Sequence, residues 1–119
     1  MTQARLATGR AGEHATLLAY RRRGYRLVAR NWRCPVGELD LVLARGDTLV
    51  VCEVKARRGR GFGDGWEAVD ARKRRKLRSV ATAFLQHTGA GPAAVRFDVA
   101  SVRVGADGSA EVQVFEDAF

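Results

Sequence analysis

Four polar side chains stand at strand spacing around a single turn: Glu38, Asp40, Glu53 and Lys55. Twelve residues separate Asp40 from Glu53. Between them, Gly46-Asp47 joins two alternating runs, Glu38–Ala44 and Thr48–Ala56. Glycine at the first central position permits a type II′ hairpin. With Arg45 opposite Thr48, the hairpin sets Asp40 across from Glu53 and Glu38 across from Lys55. Side chains alternate along a strand, so these four groups share a face. The other face sets Leu39, Leu41 and Leu43 against Val54, Cys52 and Val50. It is wholly apolar and is assigned to the core. A slip of one residue would turn it towards solvent.

Directly opposed residues have Cβ atoms about 5 Å apart. Two like charges at that separation repel by roughly 3 kcal/mol at an effective dielectric near 20. A divalent cation between Asp40 and Glu53 would remove the cost, and oxygen-only ligands select Mg²⁺ or Mn²⁺. A cation held beside the Lys55 ammonium suits phosphodiester hydrolysis. The ion acidifies a water and polarises the phosphoryl group. Lys55 orients the attacking water or stabilises developing negative charge. The alternative is a solvated hairpin face on which Glu38/Lys55 and Glu53/Lys55 are ordinary ion pairs.

Other elements must hold this hairpin. A helix ends at Gly24, with its secure part from Ala11 and an apolar face of Ala11, Ala15, Leu18 and Ala19. A short strand follows over Tyr25–Trp32, and Pro35 and Gly37 punctuate the chain before the hairpin. After it, Arg57–Gly65 is Gly- and Arg-rich and is expected to be a loop. A second helix runs to about His87, with Asp64/Glu67 as a capping box or Asp70 as N-cap. Leu77, Val80, Ala81, Phe84 and Leu85 form its apolar face. Strands over Val95–Val104 and Ala110–Phe115 close the chain around a turn at Asp107-Gly108. The order helix, three strands, helix, two strands predicts a mixed α/β (α+β) sheet with helices packed on it. The 119 residues make one domain, 1–119.

Charge points to the partner. Residues 1–78 carry 19 basic and 8 acidic groups, whereas 79–119 carry 2 and 5. A basic half on a small domain suggests a polyanion, nucleic acid first. Arg57, Arg58 and Arg60 leave the hairpin beside Lys55 as a backbone clamp. Arg72, Lys73 and Lys76 on the second helix are further candidates for contacting nucleic acid. Trp32, beside Arg33, is a candidate for stacking on a base, although a Trp near a strand end is more often core, and Arg96 with Asp98 is read as an ion pair on one strand face. Cys34 and Cys52 give neither a disulfide framework nor zinc spacing, and Ser79 and Ser101 stand in no nucleophile arrangement. Absence of a long apolar run argues against a membrane helix. The residues Met1–Arg5 lead into a polar stretch, so no signal peptide is expected and the chain is expected to be cytoplasmic.

Gly37-Glu38-Leu39-Asp40 followed by Glu53-Val54-Lys55 resembles the D…(D/E)xK signature of the PD-(D/E)xK nuclease superfamily. Gly12-Glu13, Arg30-Asn31, Glu53-Val54-Lys55-Ala56-Arg57, Phe62-Gly63, Lys73 and Arg96-Phe97-Asp98-Val99 together resemble the YraN family (UPF0102), from about Gly9 to Val104. Its members are small bacterial proteins related in fold to archaeal Holliday junction resolvases. The resemblance implies a restriction-endonuclease-like central mixed sheet flanked by helices. It implies Asp40 and Glu53 as metal ligands, Lys55 as the catalytic lysine and Glu13 as the helix glutamate completing the acidic cluster. Glu38 is a supporting residue. It implies Mg²⁺- or Mn²⁺-dependent cleavage of DNA, branched, flapped or single-stranded. The alternative is a nucleic-acid-binding protein that keeps the fold without cutting. The resemblance also allows a homodimer, which no heptad or apolar patch in the sequence demands.

Overall fold

The computed structural model describes residues 2–59 and 69–119. The elements run α1 (Gln3–Arg22), β1 (Arg26–Cys34), β2 (Gly37–Arg45), β3 (Thr48–Arg58), α2 (Ala71–Thr88), β4 (Ala94–Val104) and β5 (Ala110–Phe115). They form one five-stranded sheet in the order β1-β2-β3-β4-β5. The β3–β4 pair is parallel and the other three are antiparallel. A parallel pair needs a crossover, and α2 supplies it. The mixed α/β architecture and the element order are those expected from the sequence.

The hairpin register is also as expected, from Arg45↔Thr48 to Leu41↔Cys52. Gly46 has φ 58° and Asp47 is not in the left-handed region, which fits type II′ and excludes I′. The assignment of one apolar and one polar face needs correction. Leu41, Leu43, Val50 and Cys52 pack with Leu17 and Tyr20 of α1. Val42, Ala44, Leu49 and Val51 pack on the other face with Leu77, Val80, Ala81 and Phe84 of α2. These central strands are buried on both faces, so their inner residues are apolar in a run rather than in alternation.

Leu39 joins the α2 side with Val42, although alternation from Leu41 would send it to α1. The phase slips beside Asn31, whose φ of 50° is left-handed. Asparagine tolerates that region better than most residues.

Helix α1 differs most from expectation. It begins at Gln3, where the Thr2 side chain accepts from the Arg5 N–H at 3.2 Å. Its buried face is Thr8, Gly12, Thr16, Leu17 and Tyr20, whereas Leu18 is 37% exposed. A Cβ on Gly12 would lie 2.5 Å from the Ala56 Cβ. The helix therefore approaches β3 through small residues. The Thr16 hydroxyl donates to the Gly12 carbonyl at 2.7 Å, so its burial leaves no unmet donor. The alanine stripe that looked like a core face lies half-covered at the rim.

The second helix is capped by Asp70, whose Oδ1 accepts from the Lys73 N–H at 2.9 Å, and ends at Gly89 with φ 69°. The alternative cap, Asp64/Glu67, lies outside the described residues. Trp32 packs edge-on against Phe84 at 5.2 Å. The Arg96–Asp98 pair is present and bidentate, both contacts at 2.9 Å. Asp98 is fully buried and also accepts from the Tyr20 hydroxyl at 2.6 Å and the Asp117 N–H at 2.9 Å. This carboxylate joins α1, β4 and the chain end beyond β5. Among the described residues, no helix is long and apolar enough to cross a membrane.

Gly12→Ala is expected to lower unfolding free energy by about 1–2 kcal/mol, because overpacking there forces α1 from the sheet. Helix propensity alone would raise it by about 1 kcal/mol. Urea unfolding decides the sign, and an unchanged or raised stability contradicts the close approach.

Candidate active site

The β2–β3 ladder is paired only as far as Leu41↔Cys52. Beyond that point β3 stays paired with β4, from Glu53↔Val99 to Arg58↔Val104. The Asp40 Oδ2 accepts the Val54 N–H at 2.9 Å, so a side chain holds the donor that β2 leaves. Asp40 and Glu53 are thus not a regular cross-strand pair. Their carboxyls still meet. Burial, then the hydrogen bond and charge of Asp40, push the Glu53 carboxyl up to about 8.

The predicted Glu38/Lys55 pairing does not form. Glu38 is opposite Arg33 on β1 and forms an ion pair with it at 3.1 Å. The strands have parted before Glu38 can reach β3. Lys55 lies beside the acidic pair, and burial and the neighbouring Lys73 lower its pKa, with Glu53 and Asp40 opposing.

Lys73, expected to touch nucleic acid, comes into this centre. Its Nζ is 3.6 Å from Glu53 Oε1. The repulsion between Asp40 and Glu53 is therefore offset in part by two lysines of the chain itself, a compensation the hairpin alone does not suggest.

Glu13 approaches from α1. Its Oε1 accepts from the Asn31 Nδ2 at 3.2 Å, and the Arg30 guanidinium is 3.9 Å away. Burial raises its pKa, and the charges of Asp40 and Glu38 add to the rise. Among the described residues, no three acidic, histidine or cysteine side chains converge on one point. Glu13 thus flanks the Asp40–Glu53 pair without joining it. Asn31 is the site residue that carried no assigned role. Its left-handed backbone is not legible from spacing, and the one signal for it is that asparagine is among the residues enriched in that region.

Two depressions flank the pair. A cleft of about 750 Å³ between β2 and α2 is lined by Arg33, Glu38, Asp40, Glu53, Lys73 and Lys76, with Arg72 at its rim. A groove of about 490 Å³ on the other side is lined by Arg5, Thr8, Lys55, Arg57 and Arg58. Of the expected clamp, Arg58 Nε donates to the Thr8 hydroxyl at 2.7 Å, fastening α1 to β3. Arg60 lies outside the described residues.

The donor set fits a hard divalent cation. It offers carboxylate oxygens only, and the raised Glu53 pKa marks a place where more positive charge would stabilise the ionised form.

A raised folded-state pKa means that Glu53 holds its proton from its ordinary 4.5 up to about 8 in the folded protein. Its contribution to stability is complete below 4.5 and is lost as pH rises through about 8. In EDTA, Glu53→Gln is expected to gain melting temperature relative to wild type between pH 5 and pH 8.5. A difference that is flat or reversed across that range contradicts the buried acidic pair.

The family described as "Uncharacterised protein family UPF0102" matches residues 12–102. A UPF0102 protein of Symbiobacterium thermophilum is 43% identical over 111 residues, covering 93% of this chain and 94% of that protein. One from Acidothermus cellulolyticus is 47% identical over 109 residues, 83% of each chain. One from Pelotomaculum thermopropionicum is 39% identical over 120 aligned residues, spanning 100% of both. The matched span takes in Glu13, Asn31, Asp40, Glu53, Lys55 and Lys73 alike, and on that similarity the chain belongs to the UPF0102 family.

Proposed function

We propose that the protein is a divalent-cation-dependent nuclease of the PD-(D/E)xK type, hydrolysing phosphodiesters in nucleic acid, DNA in the first instance. The observation that carries this reading is the half-buried Asp40–Glu53 pair with Lys55 beside it, where β3 emerges from its ladder. Asp40 and Glu53 would hold Mg²⁺ or Mn²⁺, with Glu13 as the flanking carboxylate. When bound, such an ion supplies Lewis acidity towards a phosphoryl oxygen.

The chain's own groups do the rest. Asp40 keeps β2 and β3 in place through the Val54 N–H. Lys55, with its pKa lowered, orients the attacking water or donates to the oxygen that gains charge. Arg33, Arg72 and Lys76, which line the cleft on one side, and Arg5 and Arg57, which line the groove on the other, would meet the phosphates. Trp32 is packed on Phe84, so recognition here rests on charge rather than on that ring stacking with a base. The resemblance to resolvase-like enzymes makes branched, flapped and single-stranded DNA the first substrates to try.

Wild type, Asp40→Asn and Lys55→Ala are to be incubated with branched, flapped and linear DNA and with RNA, in Mg²⁺, Mn²⁺ or EDTA. Products are expected only with a divalent ion, falling roughly 10²- to 10³-fold in both variants. Binding in EDTA should persist and weaken steeply with salt. Salt-sensitive binding without products under any condition would replace the nuclease with a binding protein.

A further inference from the structure

The core of the candidate site carries two acids and two bases, Asp40, Glu53, Lys55 and Lys73, whose formal charges cancel. The two lysines are held differently. Lys55 stands on β3 at a position paired with Ser101 of β4, so its backbone is held within the sheet. Lys73 sits near the start of α2, rooted through its N–H on Asp70, with its side chain 42% exposed in the open cleft. Its contact with Glu53 is 3.6 Å, longer than a tight charge-assisted hydrogen bond of about 2.8 Å. Glu53 itself is only 10% exposed, so the ammonium is the more solvated partner of the two. A lysine is a compact point charge on a flexible stem, suited to leaving one anion for another.

We propose that Lys73 is an exchangeable counter-cation: it rests against the Asp40–Glu53 pair while no divalent ion is bound, and an ion taken up by Asp40 and Glu53 releases it into the cleft to meet a substrate phosphate. This deepens the nuclease reading and rests on it. Loading the ion and arming the cleft for a phosphate polymer become one event. Lys76 lies one turn further along α2 in the same cleft, with no ion pair to either carboxylate among the described residues. It serves as the internal control.

The test is Mn²⁺ binding to metal-free protein at pH 7.5, read by electron paramagnetic resonance of free Mn²⁺, with no nucleic acid present. Lys73→Gln is expected to bind Mn²⁺ roughly three- to tenfold more tightly than wild type. Lys73→Arg should restore near wild-type affinity, and Lys76→Gln should stay within about twofold. Labelling by an acetylating reagent gives a second readout in wild type. Mn²⁺ should raise modification of Lys73 severalfold relative to Lys76. Lys73→Gln binding no more tightly than wild type, or Lys73 labelling unmoved by Mn²⁺, overturns the exchange while leaving the nuclease reading intact if Asp40→Asn still weakens binding. No Mn²⁺ binding by wild type, or equal binding by Asp40→Asn, overturns both.

Discussion

Strand β3 has a partner on each side only as far as Cys52. From Glu53 onward, β4 alone holds it in a ladder, and the Asp40 side chain takes the Val54 N–H that would otherwise be left over. The chemistry proposed here depends on that parting. A continuous ladder would have paired Glu38 with Lys55 and sealed the gap with side chains. The opening instead admits α1 from one face and α2 from the other. Lys73 therefore reaches the acidic pair from α2, while Glu13 flanks it from α1. The layers are kept in place by close contacts elsewhere, among them Gly12 against Ala56 and the buried Asp98 carboxylate with its four hydrogen-bond donors from Arg96, Tyr20 and Asp117.

The same parting decides what was legible in the sequence. The turn at Gly46-Asp47 and the apolar residues beside it specify the register, and register alone brings Asp40 towards Glu53. Alternation could not reveal that the ladder stops at Leu41↔Cys52, because an unbroken pattern of side chains runs past the point where the strands part. Glu38 was misassigned to Lys55 for that reason. Helix α2 was legible because its buried residues are large and apolar. The inner face of α1 was not. It is lined with Thr8, Gly12 and Thr16, which look polar or helix-breaking until the distance to β3 is known. The meeting of Lys73 with Glu53 is a tertiary fact across the crossover, and no local spacing encodes it.

Electrostatics refine the argument that begins with two opposed carboxylates. Their repulsion does not by itself demand a metal ion, since Lys55 and Lys73 offset part of it and a proton held by Glu53 relieves the rest. What stays unusual is a half-buried acidic pair that opens on a cleft lined by four basic side chains, Arg33, Arg72, Lys73 and Lys76, and by Glu38 and Asp70 besides the pair itself. An acidic pair kept only for stability gains nothing from exposure to that cleft, and a buried ion pair is weak grounds for stability in any case. A pair that must admit a small hard cation and then a phosphate needs that arrangement.

The most direct measurement is anomalous diffraction from crystals of the protein equilibrated with Mn²⁺. The account predicts a peak within coordinating distance of both the Asp40 and the Glu53 carboxylates. Well-ordered carboxylates with no peak between them, or Mn²⁺ bound elsewhere while Lys73 still rests on Glu53, would contradict it.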